Sequence, residues 1–391
     1  MKIALGNSTG KGNLPVAGIV TSDLKMLHKY EISPVSHVGT GSVYQASSGD
    51  GISIAEKTYD TDGKKCSFTW WSREFSGSQW CAMLGHNSTD QHKFIVLPGS
   101  DSTLTFDGDT DGNIAKGTLN DTDLNKWNHF AVTTDGSGNV KMYQNGAPLT
   151  MTDEDISVNL TINQIGRRGA GSSGFRGNIC NVGTWEDHEL TAAEVKSIMW
   201  KSYADLSSTE KENMVSWWNL DEATSGSTSN VNSLVYDNHY GGESDVLGDN
   251  VLLDGTFTEA VAEGATGTYW DCDDGWSVDA TQNHAFYAPD TGLVNEQLNS
   301  AINSSIVDGE VYQIKFTLSD PANGGVYVRL NDSWWSESSA DLIQGHGTYT
   351  LYARAGTGTN RLEFEVGNDG LAIALKDVSV RKVNGNPGIL I

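Results

Sequence analysis

The chain has 391 residues, 37% of them hydrophobic, and carries 25 Lys and Arg against 50 Asp and Glu, a formal charge of −25. That acidic excess opposes phosphate-rich partners and excludes nucleic-acid binding. No apolar run reaches the roughly 18 residues of a membrane helix, which excludes membrane insertion by helices.

Length predicts two or three domains. The opening residues, MKIALGNSTGKGN, hold too short an apolar stretch for a secretory signal and predict no Sec export. Residues 1–39 read as an N-terminal arm leading into a first strand. Beyond them, short alternating runs are separated by Gly, Asn, Asp and Ser clusters, the pattern of β-sandwiches. Phe130 and Val132 mark one strand, turned at Asp135-Gly136-Ser137-Gly138 into a second around Val140 to Tyr143, which meets an Asn145-Gly146 turn. Helix is scarce. Thr191-Ala192-Ala193-Glu194 is a capping box opening a short helix over residues 190–200, and Ser207-Ser208-Thr209-Glu210 predicts another over 207–214. Residues 222–250 turn rich in Ser, Thr, Asn and Gly and mark a boundary. Past it, Tyr312, Ile314, Phe316 and Leu318 alternate with polar residues, as Leu362, Phe364 and Val366 do with Glu363 and Glu365, predicting half-buried antiparallel strands. Cys66, Cys81, Cys180 and Cys272 show no C-x-x-C spacing and read as reduced, strand-buried thiols.

The expected fold is all-β: two antiparallel jelly-roll sandwiches with short capped helices between them. The domains are residues 40–205, a connector at 206–249, and residues 250–391.

Two resemblances sharpen this. SGDGISI (48–54), SFTWW (67–71), WNHFAVTTD (127–135), KMYQNGA (141–147) and FRGNICNVGTW (175–185) running into LTAAEV resemble the laminin-G-like, concanavalin A-type lectin sandwich. That family often has acidic residues in its last strand, where this chain has Asn178, Cys180 and Asn181. VLLDGTF (251–257), Asp274-Gly275-Trp276 and ALKDVSV (374–380) resemble the opening strand, turn and closing strand of jelly-roll carbohydrate-binding modules. A chain joining such modules through DLSSTEKENMVSWWNLDE resembles virion proteins of tailed phages. The resemblance implies a virion protein assembled in the host cytoplasm, a head decoration or fibre tip, docked on capsid or tail proteins through its arm. Host-surface glycans would be its ligands; homo-oligomerisation stays open.

Three groups of side chains could carry ligand chemistry. Asp107, Asp109, Asp111 and Asn113 place hard oxygen donors on a Gly-containing turn and suit Ca2+, although the twelfth position is Thr118 instead of Glu. Trp270 and Trp276, among Asp271, Asp273 and Asp274, are candidate sugar platforms, since aromatic faces stack on sugar rings. Trp334 and Trp335 are the third. Core packing competes with binding at each Trp. No carboxylate set spaced for glycoside hydrolysis occurs, the nearest being Glu186, Asp187 and Glu189 at a helix entrance. A lyase would need His129 and Arg167-Arg168 in one place. The expectation is therefore a non-enzymatic adhesion protein, with a glycan hydrolase or lyase and a non-binding cement protein as alternatives.

Overall fold

The computed structural model describes residues 41–47, 49–74, 81–88, 94–96, 102–107, 114–153, 156, 158–169, 174–221, 234–240, 247–288, 296–302, 306–319, 325–334, 342–358, 360–366 and 372–390. All belong to the compact unit Ser36–Ile391. The arm lies outside the described residues.

The all-β expectation holds: four antiparallel sheets form among the described residues, with a single α-helix. Sheet 1 runs in the order Val43–Gln45, Gly177–Glu186, Lys65–Glu74, Asn128–Asp135, Val140–Gln144, Ala147–Pro148, and Met214–Trp218 also pairs with Gly177–Glu186. Sheet 2 runs Thr150–Asp153, Ile114–Thr118, Thr103–Asp107, Phe94–Val96, Ala82–Gly85, Leu160–Ile165, Ile52–Tyr59, Gly388–Leu390, Leu234–Val235. The two pack face to face: Tyr59 of sheet 2 meets Phe68 of sheet 1 edge-on at 5.1 Å and donates its hydroxyl to Thr184 Oγ1 at 2.9 Å. The Asn128–Asp135 and Val140–Gln144 strands form the expected hairpin. Asn145 (φ 51°) and Gly146 (φ 74°) make the next reversal, both left-handed as a type I′ turn requires.

The helix spans Ala192–Ile198. Thr191 accepts from the Glu194 backbone, Glu194 reaches back to the Thr191 N–H, and Val195 and Ile198 point into the core. The second expected helix does not form. Ser207 and Glu210 do exchange capping hydrogen bonds, but Asn213 enters the left-handed region (φ 57°) and the strand Met214–Trp218 begins at once. Both members of the Trp70-Trp71 and Trp217-Trp218 pairs are buried, where alternation predicts one. The helix segment is the cause. Trp70 stacks on Phe130, while Trp71 on the opposite face donates its indole N–H to the Met199 carbonyl and lies under Trp200.

Sheet 3 runs Trp276–Asp279, His284–Tyr287, Ile373–Val383, Val311–Ser319, Gly347–Arg354, and Leu247–Asn250 also pairs with Ile373–Val383. Sheet 4 runs Trp270–Cys272, Gln297–Ser300, Leu362–Val366, Gly325–Leu330, Ser333–Trp334, with Ile343–Gln344 also on Gly325–Leu330. Ile314 and Phe316 of sheet 3 and Val326, Leu362 and Phe364 of sheet 4 share one apolar core, and Phe316 meets Phe364 edge-on at 5.2 Å.

The strands fall across the expected bounds in two places, and two stretches of the expected connector 206–249, Met214–Trp218 and Leu234–Val235, pair into sheets 1 and 2. Residues 388–390 belong to sheet 2 of the first sandwich, between Ile52–Tyr59 and Leu234–Val235, and not to the second sandwich. Just before them, Asn386 exchanges hydrogen bonds with Ala55 (N–H to Oδ1 2.8 Å, Nδ2 to carbonyl 3.4 Å) and accepts the Trp218 indole N–H on its own carbonyl at 2.7 Å. Asp237 accepts backbone N–H bonds from Trp217, His239 and Asn386, so one carboxylate ties three chain segments. Arg354 of sheet 3 donates to the Ser53 carbonyl at 3.0 Å.

Candidate functional site

Strand alternation places Val326, Val328, Leu330, Leu362, Phe364, Val366 and Leu298 on the core side of sheet 4. The intervening side chains therefore share its other face. Register aligns them: Asp271 opposite Asn299, Asn299 opposite Glu363, Glu363 opposite Arg329, Arg329 opposite Trp334. A second row holds Gln297, Glu365 and Tyr327. The first row crosses five strands, and at the usual interstrand spacing is about 19 Å long.

The face is tightly knit. Arg329 forks between two carboxylates, Nη1 to Glu363 Oε1 at 2.8 Å and Nη2 to Glu365 Oε2 at 2.5 Å, and its guanidinium carbon lies 3.8 Å from the centre of the Trp334 ring. Tyr327 stands edge-on to Trp334 at 5.9 Å. Arg361 takes the second oxygen of Glu363 at 3.0 Å, and the Gln297 amide reaches Glu365 at 3.4 Å. Glu363 is 1% exposed. Burial pushes its carboxyl up from the usual range, and the two flanking guanidiniums pull it back only in part. Asn299 is buried, and its Oδ1 has no hydrogen-bond donor among the described residues. Half-buried Trp334 and Tyr327 and exposed Asp271 are the parts of the row that solvent reaches, and aromatic surface beside polar groups can stack on a flat ring and bind its polar rim.

The expected site residues divide. Trp334 is half-buried at the end of the row, one side covered by Arg329. Trp335 lies outside the described residues. Trp270 and Trp276 are corrected: 2% and 0% exposed, they face the core between sheets 3 and 4 and cannot serve as platforms. Their indoles donate to the Asp254 and Glu296 carbonyls, the polar tips satisfied internally. Asp107 is the last residue of its strand and pairs with Ile114, and the Arg168 guanidinium lies within its electrostatic reach. Asp109, Asp111 and Asn113 fall outside the described residues. Among the described residues no three His, Cys, Asp or Glu side chains gather as a metal site. His129 is buried beside Trp71 at 5.4 Å, and burial drives its pKa down to about 3. All four cysteines are buried, and burial pushes the Cys66 and Cys272 thiols up to about 12.

Sequence reading passed over Arg329, Glu363, Glu365, Asn299 and Tyr327. The available signal was the pair of motifs Tyr327-Val-Arg329 and Glu363-Phe-Glu365, an arginine in one apolar strand and two glutamates at period two in another.

Residues 46–196 match the family model of the concanavalin A-like lectin/glucanases superfamily. That match makes the first sandwich a lectin-like domain by sequence. No curated protein matches the chain. Among solved structures, domain 4 of AbnA, a GH43 extracellular arabinanase from Geobacillus stearothermophilus bound to arabinotriose, is 17% identical, covering 41% of this chain and 82% of its own, with a TM-score of 0.31. A family 4 carbohydrate-binding module is 19% identical, covering 34% and 99%, with a TM-score of 0.24. The CBM40 of Ruminococcus gnavus IT-sialidase is 16% identical over 41% and 100%, with a TM-score of 0.23.

Proposed function

We propose that this chain is a non-enzymatic glycan-binding adhesion protein, with the outer face of sheet 4 as its principal binding surface. The observation that carries this reading is the row Asp271, Asn299, Glu363, Arg329 and Trp334 across five strands, with Tyr327 and Glu365 beside it. The match of residues 46–196 to a lectin superfamily supports it independently. Glu363 and Glu365 share one guanidinium, which commits both carboxylates to ion pairs instead of to moving protons. The modular order and connector support placement on a tailed-phage particle, assembled in the host cytoplasm. A glycan array with wild type and Trp334→Ala tests the first part: wild-type signal lost in the variant is expected, and an empty array overturns it. Saccharide release by the purified chain would refute the non-enzymatic part. Detection by mass spectrometry in purified particles is the expected result for the last, and absence removes it.

A further inference from the structure

The charge inventory of this face goes beyond glycan binding as such. Its two guanidiniums are already committed: Arg329 lies between Glu363 and Glu365, and Arg361 between Glu363 and Asp332 (3.0 and 3.8 Å). Against these two cations stand four carboxylates, the fourth being Asp271 at the end of the row, exposed and accepting from Thr266 Oγ1 at 2.6 Å. Asn299, in register with Glu363, adds no cation: its amide is buried, and its Oδ1 has no donor among the described residues. Acceptors outnumber uncommitted cations here, and the chain around them carries −25. A ligand carboxylate would meet net repulsion, whereas hydroxyls can donate to Glu365 and Asp271.

Resting on the glycan-binding reading above, we infer that the row accepts uncharged, hydroxyl-rich glycans and turns away acidic ones, and that Arg329 is a positioning residue for Trp334, not an anchor for ligand anions. Its planar guanidinium fixes the indole from one side at 3.8 Å while both carboxylates fix the guanidinium. The pair is an aromatic platform held in place before ligand arrives, the arrangement that lowers the ordering cost of binding.

Affinity electrophoresis tests this with mannan, glucan and galactan, each run beside its C6-oxidised polyuronate form. Retardation by at least one neutral polymer is expected, with its oxidised partner about tenfold weaker or worse at low salt and the gap narrowing at about 1 M salt. Arg329→Lys keeps a positive charge but loses the planar stack. It should weaken neutral binding about tenfold without creating acidic binding. It should also move the fluorine resonance of 5-fluorotryptophan at position 334 in the unliganded protein, with that signal assigned through Trp334→Phe. Equal or tighter binding of the polyuronates, or an Arg329→Lys variant with unchanged affinity and resonance, overturns the inference and leaves glycan binding standing. Silence from both members of every pair removes the glycan reading, and this inference with it.

Discussion

Trp334 and Trp270 illustrate how the same residue type takes opposite roles through its neighbours. Trp334 leans on Arg329 at the surface, whereas Trp270 tilts against Phe257 at 4.8 Å in the core. Trp334→Ala should therefore leave the melting temperature close to wild type while weakening glycan binding at least tenfold. Trp270→Ala should cost about 3–5 kcal/mol of stability, read by thermal or denaturant unfolding. Two buried titratable groups make opposite demands on pH. Burial raises Asp237 to about 6, so the folded state holds its proton more tightly than the unfolded chain. Its contribution is complete below the ordinary carboxylate pKa near 3.8 and lost as pH rises through 6, about 3 kcal/mol in all. His129 is depressed to about 3, so its contribution is complete above 6.5 and lost as pH falls toward 3. Asp237→Asn should flatten the decline in stability between pH 4 and 6, and unfolding at several pH values in that window checks it.

Elements show which parts of the fold sequence patterns could reveal. The Thr191 cap, the Asn145-Gly146 turn and the alternation from Tyr312 to Leu318 were legible because each is fixed by neighbours a few residues away. Burial of Glu363 and Glu365 was not, since period two assigns such residues to solvent. Only the pairing of Leu362–Val366 with Gly325–Leu330 brings Arg329 over them. The strand Gly388–Leu390 is too short to show a period, and the contact that seats it, Asn386 on Ala55, spans 331 residues. Asn386→Ala should cost about 1 kcal/mol by leaving the half-buried hydrogen-bond partners of its amide unpaired, measured by denaturant titration.

At the scale of the whole molecule, the segment entering the second sandwich and the segment leaving it both anchor in the first, through Asp237, Leu234–Val235 and Gly388–Leu390. Val311 and Val383 of sheet 3 pack with Tyr236 beside that anchor. The two sandwiches should unfold in one calorimetric transition, and removal of residues 385–391 should split it into two. The candidate row belongs to sheet 4, whereas the junction's hydrogen bonds among the described residues run through Arg354 of sheet 3 and the segments that flank the second sandwich.

The most direct test of that row is a hydrogen-exchange footprint with the neutral polysaccharide that the wild-type chain retains most strongly. Slowed exchange confined to Gln297–Ser300, Gly325–Leu330 and Leu362–Val366 is the predicted result. Protection in the strands of the lectin-like sandwich, with those three unchanged, would contradict it.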